Sequence, residues 1–162
     1  MSNIYIEDGY EKIFINFIRF LGYEYIPHEE IVRDSMKSPI ASEILDQSLM
    51  RINPLISPDV LNEAIHKIKN IDAGILVNRN ETFFEFLQNG IEVSYYDDDG
   101  ERTERVYLID YEDVYNNSFV VTNQLTIIGK DTKRPDVLIY VNGLPLVVVE
   151  LKSMTTELAD VS

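Results

Sequence analysis

The sequence has no cysteine, no tryptophan and only two histidines among its 162 residues. Without cysteine, disulfide scaffolds, cysteine nucleophiles and cysteine-based zinc sites are excluded, and two histidines are too few for a histidine-rich metal site. No apolar run approaches the roughly 20 residues that a membrane-spanning helix needs. Residues 1–8 also lack the basic-then-apolar pattern of a signal peptide. We therefore expect a cytoplasmic protein that does not associate with membranes.

Basic residues are scarce as well. The chain carries 14 Lys and Arg against 28 Asp and Glu, so its formal net charge is −14. A surface that binds phosphate normally needs basic residues, and the acid excess argues against independent affinity for nucleic acid. It also allows an alternative function, a non-catalytic acidic protein that mimics the charge of DNA. The hydrophobic content of 45% is ordinary for a globular protein, and the length suits one domain, 1–162.

Apolar residues at helical spacing predict four helices in the N-terminal half of the chain. The predicted helices are Ile6–Leu21, Ile40–Ile52, Pro58–Ile71 and Asn80–Gln88. From Ile91 onwards the pattern is that of strands and turns. The predicted strands are Ile91–Tyr96, Arg102–Ile109, Phe119–Ile128, Asp136–Val141 and Leu146–Lys152. Helices followed by strands indicate an α+β or mixed α/β domain, and we expect the strands to form one sheet.

Three residues near the last predicted hairpin can carry chemistry: Asp136, Glu150 and Lys152. Residues at i and i+2 of a strand share a face, so Glu150 and Lys152 are expected to point the same way, beside a buried Val147–Val149 run. Two carboxylates on adjacent strands suit Mg²⁺, which prefers oxygen ligands, and a nearby lysine could orient a metal-bound water. This set is typical of phosphodiester hydrolysis. Taken as bare spacing, the same residues are more often a solvated rim.

The hairpin register sets a condition on this site. An ideal two-residue loop at Asn142–Gly143 would pair Asp136 with Val149 and place Asp136 on the opposite face from Glu150. A slip of one residue reverses the face of every side chain in a strand. The site therefore requires an odd-length loop or a β-bulge in this hairpin.

Several segments together carry a resemblance to a known family. They are Gly22–Tyr25, Asn89–Ile91, Leu108–Asp110, Asn117–Gln124 and Arg134–Lys152. In these segments, and over nearly the whole chain, the sequence resembles the N-terminal region of the restriction (R) subunit of type I restriction–modification enzymes. The resemblance implies a PD-(D/E)xK restriction-endonuclease-like core, with a helical half followed by a mixed β-sheet. It also implies that Asp136 and Glu150 are metal-binding carboxylates and Lys152 the catalytic lysine.

The family also has an acidic residue on its first helix. Counting back from Gly22–Tyr23, Glu11 is the residue that best matches this family acid, as a third metal ligand, and Glu7, one turn earlier, is the second choice. Glu11 flanks the apolar face of the helix, so it could reach a site at the edge of the sheet. An ordinary exposed helix acid is the alternative for Glu11. The implied activity is that of a type I site-specific deoxyribonuclease, which cleaves double-stranded DNA endonucleolytically with Mg²⁺ or Mn²⁺.

The resemblance further implies assembly with modification (M) and specificity (S) subunits. ATP would be used by the family's DNA-translocating motor, and S-adenosylmethionine would be used by the partner subunit. In the family, a Gln-x-x-x-Tyr motif lies on the helix after the catalytic strand, and the ATP-driven motor follows the nuclease domain. This chain has no Gln-x-x-x-Tyr motif after Lys152, and it has no Gly-Lys-Ser/Thr loop of the kind that binds ATP phosphates. Both absences favour an N-terminal fragment of a much longer subunit. A third function thus stays open, a nuclease-fold domain kept only for docking within its complex.

Other polar residues are weighed more briefly. Lys130, Lys133 and Arg134 precede Asp136 and could contact a DNA phosphate, although a solvated loop explains them equally well. The amides at 123–124 match the family segment, and hydrogen bonding at a strand edge would also explain them. The two histidines, His28 and His66, have no partners at metal-ligand spacing and are expected to be structural or surface residues.

Overall fold

The computed structural model describes residues 2–73 and 76–152, with side chains described from residue 9 to 71 and from 81 to 152. The chain divides into two compact units. One, here called the sheet unit, comprises residues 1–42 and 119–162. The other, here called the inserted unit, comprises residues 43–118. Every residue of the candidate site belongs to the sheet unit.

The described part of the chain contains four α-helices, six β-strands and three short 3-10 turns. The helices are Ser2–Phe20 (α1), Ser42–Ile52 (α2), Pro58–Lys69 (α3) and Leu76–Asn89 (α4). The strands are Glu24–Tyr25 (β1), Ile91–Asp97 (β2), Gly100–Val106 (β3), Phe119–Asn123 (β4), Val137–Val141 (β5) and Leu144–Val149 (β6). The 3-10 turns are His28–Glu30, Asn70–Ala73 and Val114–Asn116. Helices that mostly precede strands confirm the predicted mixed α and β class.

The sheet unit is built on a mixed four-stranded sheet with the strand order β1-β4-β5-β6. β1 runs parallel to β4, whereas the pairs β4–β5 and β5–β6 are antiparallel. α1 contributes Ile15 and Ile18 to a buried cluster with Val121, Val137 and Ile139. One part of the core of this unit therefore lies between α1 and the two middle strands, and Val120, Leu138 and Tyr140 are buried on the opposite face of those strands.

α1 confirms the predicted first helix. The apolar spacing that predicts it marks a stripe made of Ile6, Tyr10, Ile13, Phe14, Phe17, Ile18 and Leu21, and α1 buries this stripe only in part, since Ile18 is buried and Phe14 packs against the buried cluster. The buried row is Glu11, Ile15 and Ile18, which lie about one turn apart on one side of the helix. Much of the predicted apolar stripe is exposed in the described structure. Its exposed members are Tyr10, Ile13, Phe17 and Leu21. Burial is decided by which row meets the sheet, and here that row includes a carboxylate.

The hairpin β2–β3 forms a separate two-stranded sheet in the inserted unit. The expectation that all strands share one sheet is therefore wrong, although the predicted hairpin itself is confirmed, with Asp97 paired to Gly100 at its turn. Ile91, Val93 and Val106 form a buried side of the hairpin, and α3 packs against both strands. Because a helix can cover one face of a hairpin, this sheet is stabilised without further strands.

Three strands end earlier than the sequence predicts: β3 ends at Val106, and two strands of the sheet unit are also shorter. β4 stops at Asn123 because Gln124 has a φ of +56°, in the left-handed region, where an extended strand cannot continue. β6 stops at Val149, so Glu150 and Lys152 follow the strand and do not lie on it. Both of these strand ends lie next to candidate site residues.

Candidate active site

The hairpin formed by β5 and β6 contains the irregularity that the site requires. Its register shifts between Ile139 and Tyr140: Tyr140 pairs with Pro145, whereas Ile139 pairs with Val147. Leu146 is thus an extra residue on β6, as in a β-bulge. The predicted departure from an ideal hairpin is confirmed.

The bulge changes which residues meet at the end of the hairpin. After the shift, Val137 pairs with Val149. In a hairpin with a two-residue loop and no shift, Val149 would pair with Asp136 instead. The next positions beyond this last pair are Asp136, just before β5, and Glu150, just after β6. Val137–Val149 is the last observed pair of this hairpin, and the same register, continued by one residue, would place these two acidic positions opposite each other.

Asp136 is half-buried and is tied to both neighbouring segments. Its Oδ2 atom accepts a 2.7 Å hydrogen bond from the backbone N–H of Leu151. Its Oδ1 atom accepts from Nε2 of Gln124 at 3.3 Å, and its backbone carbonyl accepts from the Gln124 N–H at 3.1 Å. The Asp136 carboxylate is thus held between the end of β4 and the segment that follows β6.

Glu11 reaches the same region from α1. Its side chain is buried, with 7% of its surface exposed, so the reading of Glu11 as an ordinary exposed helix acid is wrong. Its Oε1 atom accepts a 2.6 Å hydrogen bond from Nδ2 of Asn123, and its Oε2 atom accepts from Nε2 of Gln124 at 2.9 Å. A buried carboxylate is tolerated when such donors replace the water it has lost. Glu7, the second choice, lies outside the residues whose side chains are described.

Tyr25 extends this network by one residue. Its hydroxyl donates a 2.7 Å hydrogen bond to Oδ1 of Asn123, which fixes the orientation in which Asn123 presents its amide to Glu11. Burial raises the pKa of Tyr25, and the negative charges of Glu29 and Glu11 raise it further. The hydroxyl therefore keeps its proton and remains a donor at neutral pH.

The sequence pattern did not reveal how Asn123, Gln124 and Tyr25 connect the acidic residues. Hydrogen bonding at a strand edge explains the amide pair at 123–124 equally well, and Tyr25 is marked only as part of the family segment Gly22–Tyr25. The signal in the sequence is the position of two adjacent amides at the end of a buried strand. Their partners, Glu11 and Asp136, are distant in sequence and become neighbours only in the fold.

Glu150 and Lys152 are exposed and lie just after β6. Lys152 and Leu151 line one side of an open groove whose other side is the apolar stripe of α1. The expectation of a buried valine run beside them is wrong for two of its members: Val147 is 45% and Val148 61% exposed. β6 is the last strand of the sheet in the described structure, so its side chains have one neighbouring strand instead of two.

The carboxylate groups of the candidate site are of the chemical type that binds magnesium. Glu11 and Asp136 are bridged by one amide group, Glu150 follows the last paired residue of β6, and all three offer the oxygen ligands that Mg²⁺ prefers. Among the described residues, however, no three His, Asp or Glu side chains are arranged as a formed metal cluster. The structure thus brings the Glu11 and Asp136 carboxylates together without assembling a complete coordination shell.

The remaining candidates lie on the surface. Lys130, Lys133 and Arg134 are exposed on the segment that leads into β5. His28 forms an ion-pair contact with Glu29, and His66 hydrogen-bonds to Asn70, in each case a residue nearby in sequence. These local contacts agree with the structural or surface role expected for both histidines.

None of the helices in the described part of the chain is both long enough and apolar enough to cross a membrane.

Comparison with known proteins adds evidence of a different kind. A family model described as "Type I restriction enzyme R protein N terminus (HSDR_N)" matches residues 4–161. The "Type I restriction enzyme HindI endonuclease subunit" of Haemophilus influenzae is 36% identical over 163 aligned positions, which cover 95% of this chain and 16% of that relative. The "Type I restriction enzyme EcoprrI endonuclease subunit" of Escherichia coli is 46% identical over 55 residues, or 34% of this chain and 17% of that relative.

These matches make the chain a homologue of type I restriction endonuclease subunits. It belongs to the family formed by the N-terminal regions of type I restriction enzyme R proteins, as the resemblance predicted. The chain spans about one sixth of the length of the Haemophilus influenzae relative.

Proposed function

We propose that this chain is the nuclease module of a type I restriction enzyme R subunit, and that it cleaves double-stranded DNA endonucleolytically with Mg²⁺ or Mn²⁺. The observation that supports the proposal is the bulge at Leu146, which supplies the one-residue shift that facing Asp136 and Glu150 side chains require. An unshifted hairpin would have separated these residues onto two faces. The family membership gives this geometry a chemical context.

Asp136 and Glu150 would hold the cation, and Glu11 would complete the set of carboxylates. The bound cation would polarise the phosphate and lower the pKa of the attacking water. Lys152 would lie near that water, orient it and balance the negative charge of the reacting phosphate. Leu151 supports this arrangement, because its N–H holds Asp136 while the neighbouring positions carry Glu150 and Lys152.

Most of the contacts that hold DNA would be made by parts of the enzyme outside this chain. Lys130, Lys133 and Arg134 would contact phosphates near the scissile bond, but a net charge of −14 predicts weak affinity of the isolated chain for duplex DNA. The proposal therefore places the chain within a longer R subunit that associates with M and S subunits. ATP would act through motor domains outside this chain and S-adenosylmethionine through a partner subunit.

Two other functions make different predictions. An acidic DNA mimic needs its acids displayed outward, whereas Glu11 is buried and Asp136 is half-buried in an internal hydrogen-bond network. A nuclease-fold domain used only for docking would keep the fold but would have no need for a specific cation. Cation binding therefore separates both alternatives from the nuclease.

The test is Mn²⁺ titration of the purified 162-residue chain by calorimetry, with Asp136→Ala as the site variant. Asp98→Ala, in the exposed turn of the β2–β3 hairpin, is the matched control. We expect the wild type and the control to bind Mn²⁺ equally, and Asp136→Ala to bind at least about 10-fold more weakly because a direct ligand is lost. Equal binding by wild type and Asp136→Ala would refute the site assignment.

Cleavage is tested separately, in an R subunit assembled with its M and S partners. Lys152→Met should retain Mn²⁺ binding but lose cleavage by about 100-fold or more, because a group that acts on the nucleophilic water contributes factors of this size. Cleavage at the wild-type rate by this variant would exclude Lys152 from the reaction.

A further inference from the structure

The side chain of Gln124 lies between two acidic residues of the proposed site. Its Nε2 atom is 2.9 Å from Oε2 of Glu11 and 3.3 Å from Oδ1 of Asp136, so one amide NH₂ group donates to both carboxylates. Glu11 and Gln124 are 113 residues apart in sequence, and the amide joins α1 to the sheet. No other described hydrogen bond connects the Glu11 and Asp136 side chains through a single group.

The backbone of Gln124 is in an unfavourable conformation. Its φ of +56° lies in the left-handed region, where glutamine is uncommon and where Asn and Gly are preferred. In the same residue, the backbone N–H donates to the carbonyl of Asp136 at 3.1 Å. Backbone strain of this kind persists when the surrounding structure requires it, and it is concentrated at functional sites.

We infer that Gln124 is a positioning residue, which holds the Glu11 and Asp136 carboxylates at a common site before a divalent cation binds. This inference rests on the proposed function. Two carboxylates drawn towards one cation repel each other until the cation arrives. A neutral amide that donates one N–H to each of them offsets that repulsion and fixes both side chains without competing as a strong ligand.

Asn123 supports the same arrangement from the other side of Glu11. Its amide donates to Oε1 at 2.6 Å while Gln124 donates to Oε2 at 2.9 Å, so both oxygens of Glu11 are fixed. Asp136 is fixed in a similar way, by Gln124 on Oδ1 and by the Leu151 N–H on Oδ2. Gln124 is therefore shared by two carboxylates, each of which also has a donor of its own.

The test compares Gln124→Asn and Gln124→Met with wild type in the 162-residue chain. Asparagine suits a left-handed backbone, so Gln124→Asn should remain folded, but its amide is one methylene too short to reach both carboxylates. Methionine keeps the side-chain length and removes both donors. Gln88→Asn, on the exposed side of α4, is the matched control.

Mn²⁺ affinity is measured by calorimetry and unfolding temperature by circular dichroism without cation. We expect the Mn²⁺ dissociation constant to rise about 10-fold in both Gln124 variants and to stay within twofold of wild type in Gln88→Asn. A purely structural role would lower the unfolding temperature of Gln124→Met and leave the Mn²⁺ affinity of Gln124→Asn unchanged. A rise of less than threefold in Gln124→Asn therefore overturns the inference.

Mn²⁺ binding by Asp136→Ala and Gln124→Asn separates an error in the site assignment from an error in the role of Gln124. If Asp136→Ala binds Mn²⁺ as tightly as wild type, the site assignment fails and the role of Gln124 fails with it. If Asp136→Ala loses binding while Gln124→Asn keeps it, the cation site stands and only the positioning role is overturned.

Discussion

The backbone N–H of Leu151 donates a 2.7 Å hydrogen bond to Oδ2 of Asp136, 15 residues earlier in the chain. A backbone donor to a carboxylate is a strong interaction because the acceptor is charged. This bond holds Asp136 against the segment Glu150–Lys152, which follows the bulged strand β6.

Removing this one donor should weaken cation binding. Leu151→Pro has no N–H to give to Asp136, whereas Leu151→Ala shortens the side chain and keeps the N–H. We expect the Mn²⁺ dissociation constant to rise about 10-fold in the proline variant and to stay within threefold of wild type in the alanine variant. Calorimetric titration of both variants checks this. Similar affinities for the two would show that the backbone bond does not position Asp136.

A second prediction concerns the buried tyrosine of β5 and alkaline pH. Tyr140 is fully buried, its hydroxyl donates to the carbonyl of Pro39 at 2.7 Å, and burial raises its pKa to about 12 from a usual value near 10. The folded state thus holds this proton more tightly than the unfolded state. Stability from Tyr140 is therefore complete below pH 10 and is lost as the pH rises towards 12, by about 3 kcal/mol.

Tyr140→Phe removes both the hydrogen bond and the titration. At pH 8 the variant should be less stable than wild type by about 1 kcal/mol, because the Pro39 carbonyl loses its partner. Between pH 10 and 12 the wild type should lose stability faster, so the difference shrinks or reverses. Urea unfolding at a series of pH values measures this, with Tyr115→Phe, 96% exposed, as the control that should follow wild type. Parallel curves for Tyr140→Phe and wild type would contradict the prediction.

A third prediction tests how the inserted unit is held together. The buried side chain of Asn53 donates to the carbonyls of Leu49 and Tyr107, and it accepts from the Tyr107 N–H at 2.8 Å. Asn53→Ala leaves three polar backbone groups without these partners, and we expect a loss of about 3 kcal/mol in the free energy of unfolding. Asn62→Ala, exposed on α3, should change it by less than about 0.5 kcal/mol. Urea denaturation measures the free energy of unfolding of both variants, and equal midpoints for the two would refute the role of Asn53.

The fourth prediction uses two glycines that are chemically alike and structurally different. Gly90 has a φ of +75°, and a Cβ atom there would lie 2.6 Å from the carbonyl oxygen of Val106. Gly90→Ala should therefore destabilise the protein by about 3 kcal/mol, from the left-handed conformation and the clash together. Gly9 lies within α1, where, apart from the adjacent backbone of the helix, no atom of the described residues is within 4 Å of such a Cβ, and Gly9→Ala should stabilise by about 0.5 to 1 kcal/mol. Thermal unfolding that shifts both variants in the same direction would contradict this assignment.

Local patterns in the amino-acid order were sufficient for much of the fold. The four helices, the two hairpins and the mixed α and β class follow from apolar spacing, caps and turn residues, which act over a few positions of the chain. Ser57, for example, accepts from the Val60 N–H at the start of α3, as an N-cap residue does. The family, too, was recognisable from the segments that surround Asp136, Glu150 and Lys152, and the family match confirms it.

Tertiary packing decided what these local patterns left open. Apolar spacing along α1 could not show that the row containing Glu11 would face the sheet, because the stripe containing Tyr10 and Phe17 is the more apolar one. The need for a bulge was predictable from register arithmetic, but its position at Leu146 was not. The bridge from Glu11 through Gln124 to Asp136 joins residues of α1 to the sheet across more than 100 positions of the chain. Such contacts depend on how the elements pack in three dimensions, and periodicity within one element carries no information about them.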